Sequence, residues 1–228
     1  MGKGIVLGRF QPFHNGHAYL LETALNLFDN VTIAIGSAQD EWTVDNPFSV
    51  QERTDMINSW CTSNGHQERI EIVGIDDLND PPNWVEYATD LHGEGTLVTS
   101  DLETKQLYEA KNFPVTWVDL HEREQFEGWR VRQTCMMLST VYDDGATRMV
   151  LAPTLPQAII EWLVEADGVY RFSQINSSPH AGRLFGRHNN SGSAQHTLFV
   201  HVTGFKYIDD DSCRVLLRGW KCRNGFHM

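Results

Sequence analysis

The sequence is poor in most of the features that would take it outside the ordinary globular class. Its four cysteines, Cys61, Cys135, Cys213 and Cys222, are scattered with no CxxC pair. That spacing argues against a disulfide framework or a zinc ribbon and reads as reduced thiols. Basic side chains are scarce: 18 Lys and Arg stand against 30 Asp and Glu, a formal charge of -12. So acidic a chain has no general attraction for a nucleic-acid backbone, and an anionic ligand needs a local pocket of donors. No apolar run approaches the roughly 18 to 20 residues of a membrane span, and the first residues lack the charged start, apolar stretch and cleavage site of a signal peptide. The expectation is a cytoplasmic protein with neither nucleic acid nor membrane as partner. Internal repeats are absent, and low complexity is confined to the Gly-, Ser- and Asn-rich tract QINSSPHAGRLFGRHNNSGSAQ. A chain of 228 residues has room for one main domain with an appendage.

What is present is an alternation. GIVLG reads as a buried strand, and His17 to Phe28 carries apolar residues at Ala18, Leu21, Ala24, Leu25 and Phe28, the spacing of a helix face. VTIAIG is a second strand. Ser49 stands three residues before Glu52, a capping-box signature, with Met56, Ile57 and Trp60 following at helical intervals. IEIVGI, TLVTS and VTWVDL read as strands, 84–92 and LETKQLYEA as the helices between them, and Pro153 to Ala166 as a later helix. Strand and helix in turn imply βαβ units, a mostly parallel doubly wound sheet and helices on both faces. Ligands in such sheets bind at the carboxyl ends of the strands.

At the carboxyl end of the first strand stands GRFQPFHNGH, Gly8 to His17. A helix N-terminus offers unpaired N–H groups and the positive end of a macrodipole. His14 and His17, three apart, can face one side there, Gly16 lets a ligand approach the backbone, Arg9 supplies a planar cationic fork and Gln11 a neutral donor. Together they suit a polyphosphate. The plainer alternative is that the histidines merely cap the helix. Zinc finds less support, since HxxH supplies two ligands and no third has a suitable spacing.

The string resembles the HxGH signature of the nucleotidyltransferase superfamily, and its surroundings resemble the nicotinamide mononucleotide (NMN) adenylyltransferases of the archaeal type. AIGSAQ (34–39), NPFSVQERTDMI (46–57) and NWVEYATDL from Asn83 continue the likeness, which runs in order over residues 3 to about 132. The resemblance implies a Rossmann-like fold and attack of the NMN phosphate on the α-phosphorus of ATP, with Mg²⁺ accompanying ATP as substrate, in a protein that assembles as a homo-oligomer. It implies His14, His17, Arg9 and Arg132 as catalytic groups. Gly8, Arg9, Phe10, Gln11, His14, Gly16, His17, Arg130 and Arg132 are then expected on ATP, and Ser37, Asn46, Arg53, Asp77, Asn83 and Trp84 on NMN, with Trp84 stacking on nicotinamide. No protein ligand for the metal is assigned.

Three departures from that family stand out. Its closing ISxTxxR motif corresponds here to FEGWRVR, Phe126 to Arg132, so that a carboxylate, Glu127, replaces the serine donor and only Arg132 remains of the phosphate ligands, with Arg130 as an extra. Its Gly-Asn after the fourth strand is Ser100-Asp101, and the asparagine expected three before the tryptophan is Pro81. Transfer to another phosphorylated acceptor, or a nucleotide sensor without turnover, are the alternatives these departures leave open. The expected organisation is a nucleotidyltransferase domain over 1–172, a linker over 173–195 and a segment over 196–228. In that segment HTLFVHVTGF and CRVLLRGWK resemble the opening strands of a Nudix domain, without its acidic helix.

Overall fold

The computed structural model describes residues 2–78, 81–120 and 126–177, together with two short strands at 206–207 and 213–214. The elements run β1 (Lys3–Gly8), α1 (Asn15–Leu27), β2 (Asn30–Ile35), α2 (Val50–Asn64), a 3₁₀ turn (Gln67–Arg69), β3 (Ile70–Gly74), α3 (Pro81–His92), β4 (Thr96–Thr99), α4 (Leu102–Glu109), β5 (Val115–Trp117), α5 (Gly128–Leu138), α6 (Asp144–Leu151), α7 (Gln157–Glu165) and α8 (Arg171–Ser177). The five strands form one sheet in the order β3-β2-β1-β4-β5, and all four pairings are parallel. This is the doubly wound sheet that the alternation of strand and helix predicts.

Period-two burial explains why the central strands are continuous apolar runs. Val6, Ile33 and Ile35 point into one core with Leu21 and Ala24 of α1, Met56, Ile57 and Trp60 of α2, Val131 and Cys135 of α5, and Ile159, Ile160 and Leu163 of α7. Their neighbours Ile5, Ala34 and Leu97 point the other way, against Val85 and Ala88 of α3 and Tyr108 of α4. Strands covered on both faces cannot alternate apolar with polar. Strand order reverses direction between β1 and β4, so their carboxyl ends flank the crevice where a doubly wound sheet holds its ligand.

Several elements differ from the periodicity. α1 starts at Asn15 because His14 caps it. α3 starts at Pro81, and proline fits a first turn, where its missing N–H has no partner to lose. Neither α5 nor α6 is among the helices expected from the sequence, and both add apolar side chains, Val131, Cys135, Leu138 and Leu151, to the core that α1, α2 and α7 share. α8 takes in residues 173–177, the beginning of the expected linker. The rest of that linker and most of 196–228 lie outside the described residues, apart from Lys206–Tyr207 pairing antiparallel with Cys213–Arg214. Cys61 and Cys135 are buried and unpaired, and burial pushes the Cys135 thiol up to about 12. No helix among the described residues is long and apolar enough to cross a membrane.

Candidate active site

The loop from Gly8 to His14 is built by burial and by one arginine. Phe10 and Ser37, at the carboxyl ends of β1 and β2, hold positive φ values of 52° and 49°, a conformation that costs a non-glycine residue on the order of 1 kcal/mol or more. Phe10 is held because its ring is fully buried beneath His17, with centroids 4.6 Å apart, and stacks with Phe13. Around both residues the freed carbonyls converge on Arg53, whose guanidinium donates to the carbonyls of Arg9 (3.1 Å), Gly36 (2.8 Å), Ser37 (3.0 Å) and Ser49 (3.2 Å). Gln11 joins this loop to the start of α2, donating to the Phe48 carbonyl at 2.7 Å and accepting the Phe48 N–H at 2.9 Å. Ser49 and Glu52 form the expected capping box there.

At the start of α1, His14 and His17 form a capping box of their own. The His17 N–H donates to His14 Nδ1 at 3.3 Å, and the His14 N–H donates to His17 Nδ1 at 3.2 Å. The rings stack with centroids 3.6 Å apart. Because both Nδ1 atoms accept, both imidazoles are the Nε2–H tautomer when neutral. Neutral they are: burial, then the Arg132 charge, lowers His14 to about 4, and burial, then His14, holds His17 well below its ordinary value. The helix cap and the ligand site are therefore one device, in which capping consumes each Nδ1 and leaves each Nε2–H as a fixed donor.

These donors border a cavity of about 520 Å³ at the carboxyl ends of β1 and β4. Gly8, Arg9, His14, Gly16, His17, Ser37, Asp77, Trp84 and Arg132, all expected in the site, line it. Arg132, nearly buried, donates to the Gln11 carbonyl at 3.2 Å and reaches Asp45 at 3.5 Å. Burial, then the charge of Arg9, lowers its pKa; an anion in the cavity relieves that repulsion. Ser37 donates to Asp77 at 2.6 Å, and the Trp84 indole N–H donates to the Asp76 carbonyl at 3.0 Å. Gly16 is needed for space, since a Cβ there would lie 3.0 Å from Phe126 Cβ and 3.2 Å from the His14 ring.

Six expected contacts are placed elsewhere. Phe10 is core beneath His17, Gln11 spends both amide atoms on Phe48, and Arg53 spends its guanidinium on backbone carbonyls. Asn46 is buried and donates to Asp40 at 3.2 Å. Asn83 is exposed on α3. Arg130 lies over the Trp129 ring, 4.6 Å from its centroid, and does not line the cavity. In return the cavity gains Thr99 at the end of β4, Ser100 and Asp101 after it, Thr104 on α4, and Phe126, Glu127, Gly128 and Trp129 before and on α5. The family resemblance marks Ser100-Asp101 and Phe126 to Arg132 as the places of two family motifs, and the strand-end rule alone singles out Thr99.

The family described as cytidylyltransferase-like matches residues 5–137. A nicotinamide-nucleotide adenylyltransferase of Picrophilus torridus is 32% identical over 177 residues, covering 77% of this chain and 98% of the relative. The chain belongs to the nicotinamide-nucleotide adenylyltransferase family. A second member, from Pyrococcus abyssi, is 28% identical over 176 residues, covering 77% of this chain and 89% of its own. Among solved structures, a bifunctional NMN adenylyltransferase/ADP ribose pyrophosphatase from Francisella tularensis shares the fold with a TM-score of 0.53 at 24% identity, covering 59% of this chain and 42% of that one. The match thus takes in 98% of the Picrophilus torridus relative's length and 42% of the bifunctional protein's.

Within this adenylyltransferase fold, the departure at Glu127 is accommodated. Glu127 is the N-cap residue of α5 yet makes no side-chain cap bond. Its carboxylate accepts from the Trp129 indole N–H at 2.5 Å and lies 3.4 Å from Arg130 Nε. The first turn of α5 itself comes up to the side chains of Arg132 and His14: a Cβ on Gly128 would stand 3.2 Å from Arg132 Nη1 and 4.0 Å from His14 Nε2.

Proposed function

We propose that this chain joins NMN to the adenylyl group of ATP, giving NAD and pyrophosphate. An oxygen of the NMN phosphate attacks the α-phosphorus of ATP, and the bond from that phosphorus to the bridging oxygen of the β-phosphate breaks, releasing pyrophosphate. The attacking oxygen is already ionised near neutral pH, so the reaction needs alignment and charge stabilisation rather than a base. The observation that carries this reading is the pair of capping imidazoles: two fixed, neutral Nε2–H donors on the cavity beside Arg9 and Arg132. Donors already oriented cost no reorganisation as charge grows on the transferring group. That both rings stay neutral argues against general acid catalysis by either in the free protein.

Trp84, half-buried and tied to the Asp76 carbonyl, offers the nicotinamide a flat face. Mg²⁺ fits as a companion of ATP rather than a resident of the chain. Among the described residues no three of His, Cys, Asp and Glu gather as a ligand set, and Mg²⁺ readily takes its shell from phosphates and water. The test is NAD formation from NMN, ATP and Mg²⁺ by the purified chain, with other phosphorylated acceptors alongside. Pyrophosphate release with some other acceptor and none with NMN would replace this reading.

A further inference from the structure

We propose that Trp129 is the platform on which the adenine ring of ATP stacks, and that Glu127 is the positioning residue that holds it there. The inference rests on the adenylyltransferase reading and assigns the second heterocycle of that reaction.

Trp129 is 44% exposed and is one of the side chains that line the cavity. It occupies the first turn of α5, one residue after the glycine that stands against Arg132 and His14. A nucleotide whose phosphates lie on those donors therefore has its base within reach of this indole. The ring is not free to turn. Glu127 accepts its N–H at 2.5 Å, and Arg130 covers one ring face while its own Nε lies 3.4 Å from the same carboxylate oxygen. A large apolar ring fixed in place on a polar cavity, with a cation behind it, suits a stacked π-system on the remaining face. Phe126, three residues earlier, lines the same cavity.

The topology supports this assignment. Trp84 packs with the α3–α4 core, whereas α5 packs with α1 and α2 on the opposite face of the sheet. Two indoles thus approach one cavity from two sides, and the reaction brings two flat rings to it. Base-on-aromatic stacking is sequence-tolerant and shape-driven, so this site recognises a purine by area rather than by its hydrogen-bonding edge.

The experiment is calorimetric titration of ATP and, separately, of inorganic tripolyphosphate into the wild-type chain and W129A, W129L, W129F, E127A and E127Q. W129A and W129L are expected to weaken ATP about tenfold or more and leave tripolyphosphate unchanged, while W129F keeps ATP affinity within about threefold. E127A is expected to weaken ATP about fivefold, and E127Q, which still accepts the indole N–H, to restore it. Unchanged ATP affinity in W129A, or an equal loss for tripolyphosphate, overturns the proposal. Trp129-dependent ATP binding by a chain that makes no NAD from NMN would leave the platform standing while the acceptor reading falls; no ATP binding at all would end both.

Discussion

Each imidazole of the His14–His17 pair is the other's cap: Nδ1 of one accepts the backbone N–H of the other, and the rings lie 3.6 Å apart. Replacing a histidine therefore removes two things, a helix cap worth about 1 kcal/mol and an Nε2–H donor. The two separate chemically. Asparagine caps well and glutamine serves at the third helical position, but neither puts a donor where Nε2 stands. H14N and H17Q are expected to melt within a few degrees of the wild type and to make NAD on the order of 10²-fold more slowly. Initial rates and thermal melts on the same preparations check this; a normal rate in either variant removes that ring from the mechanism.

Neutral buried histidines make the fold acid-sensitive in a particular window. Unfolded imidazoles take up protons below pH 6.5, whereas folded His14 resists until about pH 4. The unfolded state therefore binds more protons across that interval, and stability falls as pH falls through it. His14 alone accounts for about 2 kcal/mol by pH 5 and about 3 kcal/mol by pH 4, and His17, lowered in the same direction, adds to the loss. Urea midpoints at pH 7 and pH 5 are expected to differ accordingly, and H14N to flatten the difference. A midpoint constant over that range would contradict the neutral pair.

The sheet was legible because its strands are apolar on both faces and its early helices repeat at 3.6 residues, and the strand-end rule then put the histidine motif in the crevice. The roles of Gln11 and Arg53 were not legible. Both are residue types that bind phosphate, and nothing in their spacing tells a guanidinium aimed at ligand from one aimed at four carbonyls. That distinction comes from the positive φ values at Phe10 and Ser37, which redirect the backbone. α5 was hidden for a related reason: its first turn carries Gly128 and Trp129, chosen for the cavity rather than for helix propensity.

Arg53 is fully buried, and burial lowers its pKa to about 10, which still leaves it charged at neutral pH. R53M leaves four carbonyls without their donor and is expected to destabilise the chain by about 3 kcal/mol or more. R53K restores the charge but not the planar fork, so it should recover only part of that loss. Denaturation midpoints give the comparison; a near-neutral R53M would mean the carbonyls are served by other donors and that Arg53 is available to a ligand.

Gly16 is a case where helix propensity and packing oppose each other. Alanine in a helix is favoured over glycine by up to about 1 kcal/mol, but here its methyl would stand 3.0 Å from Phe126 Cβ and 3.2 Å from the His14 ring. Such overpacking costs about 1 to 3 kcal/mol, so packing prevails and G16A is expected to lose roughly 1 kcal/mol. Its larger effect falls on catalysis, because the methyl presses on the imidazole whose Nε2–H is the donor. A displacement near 1 Å can cost about 10²-fold in rate. Steady-state kinetics should show kcat falling with little change in KM for NMN, whose proposed aromatic wall, Trp84, packs with the opposite face of the sheet. A G16A enzyme with wild-type kcat would show that the His14 ring is free to move without consequence, against the fixed-donor account.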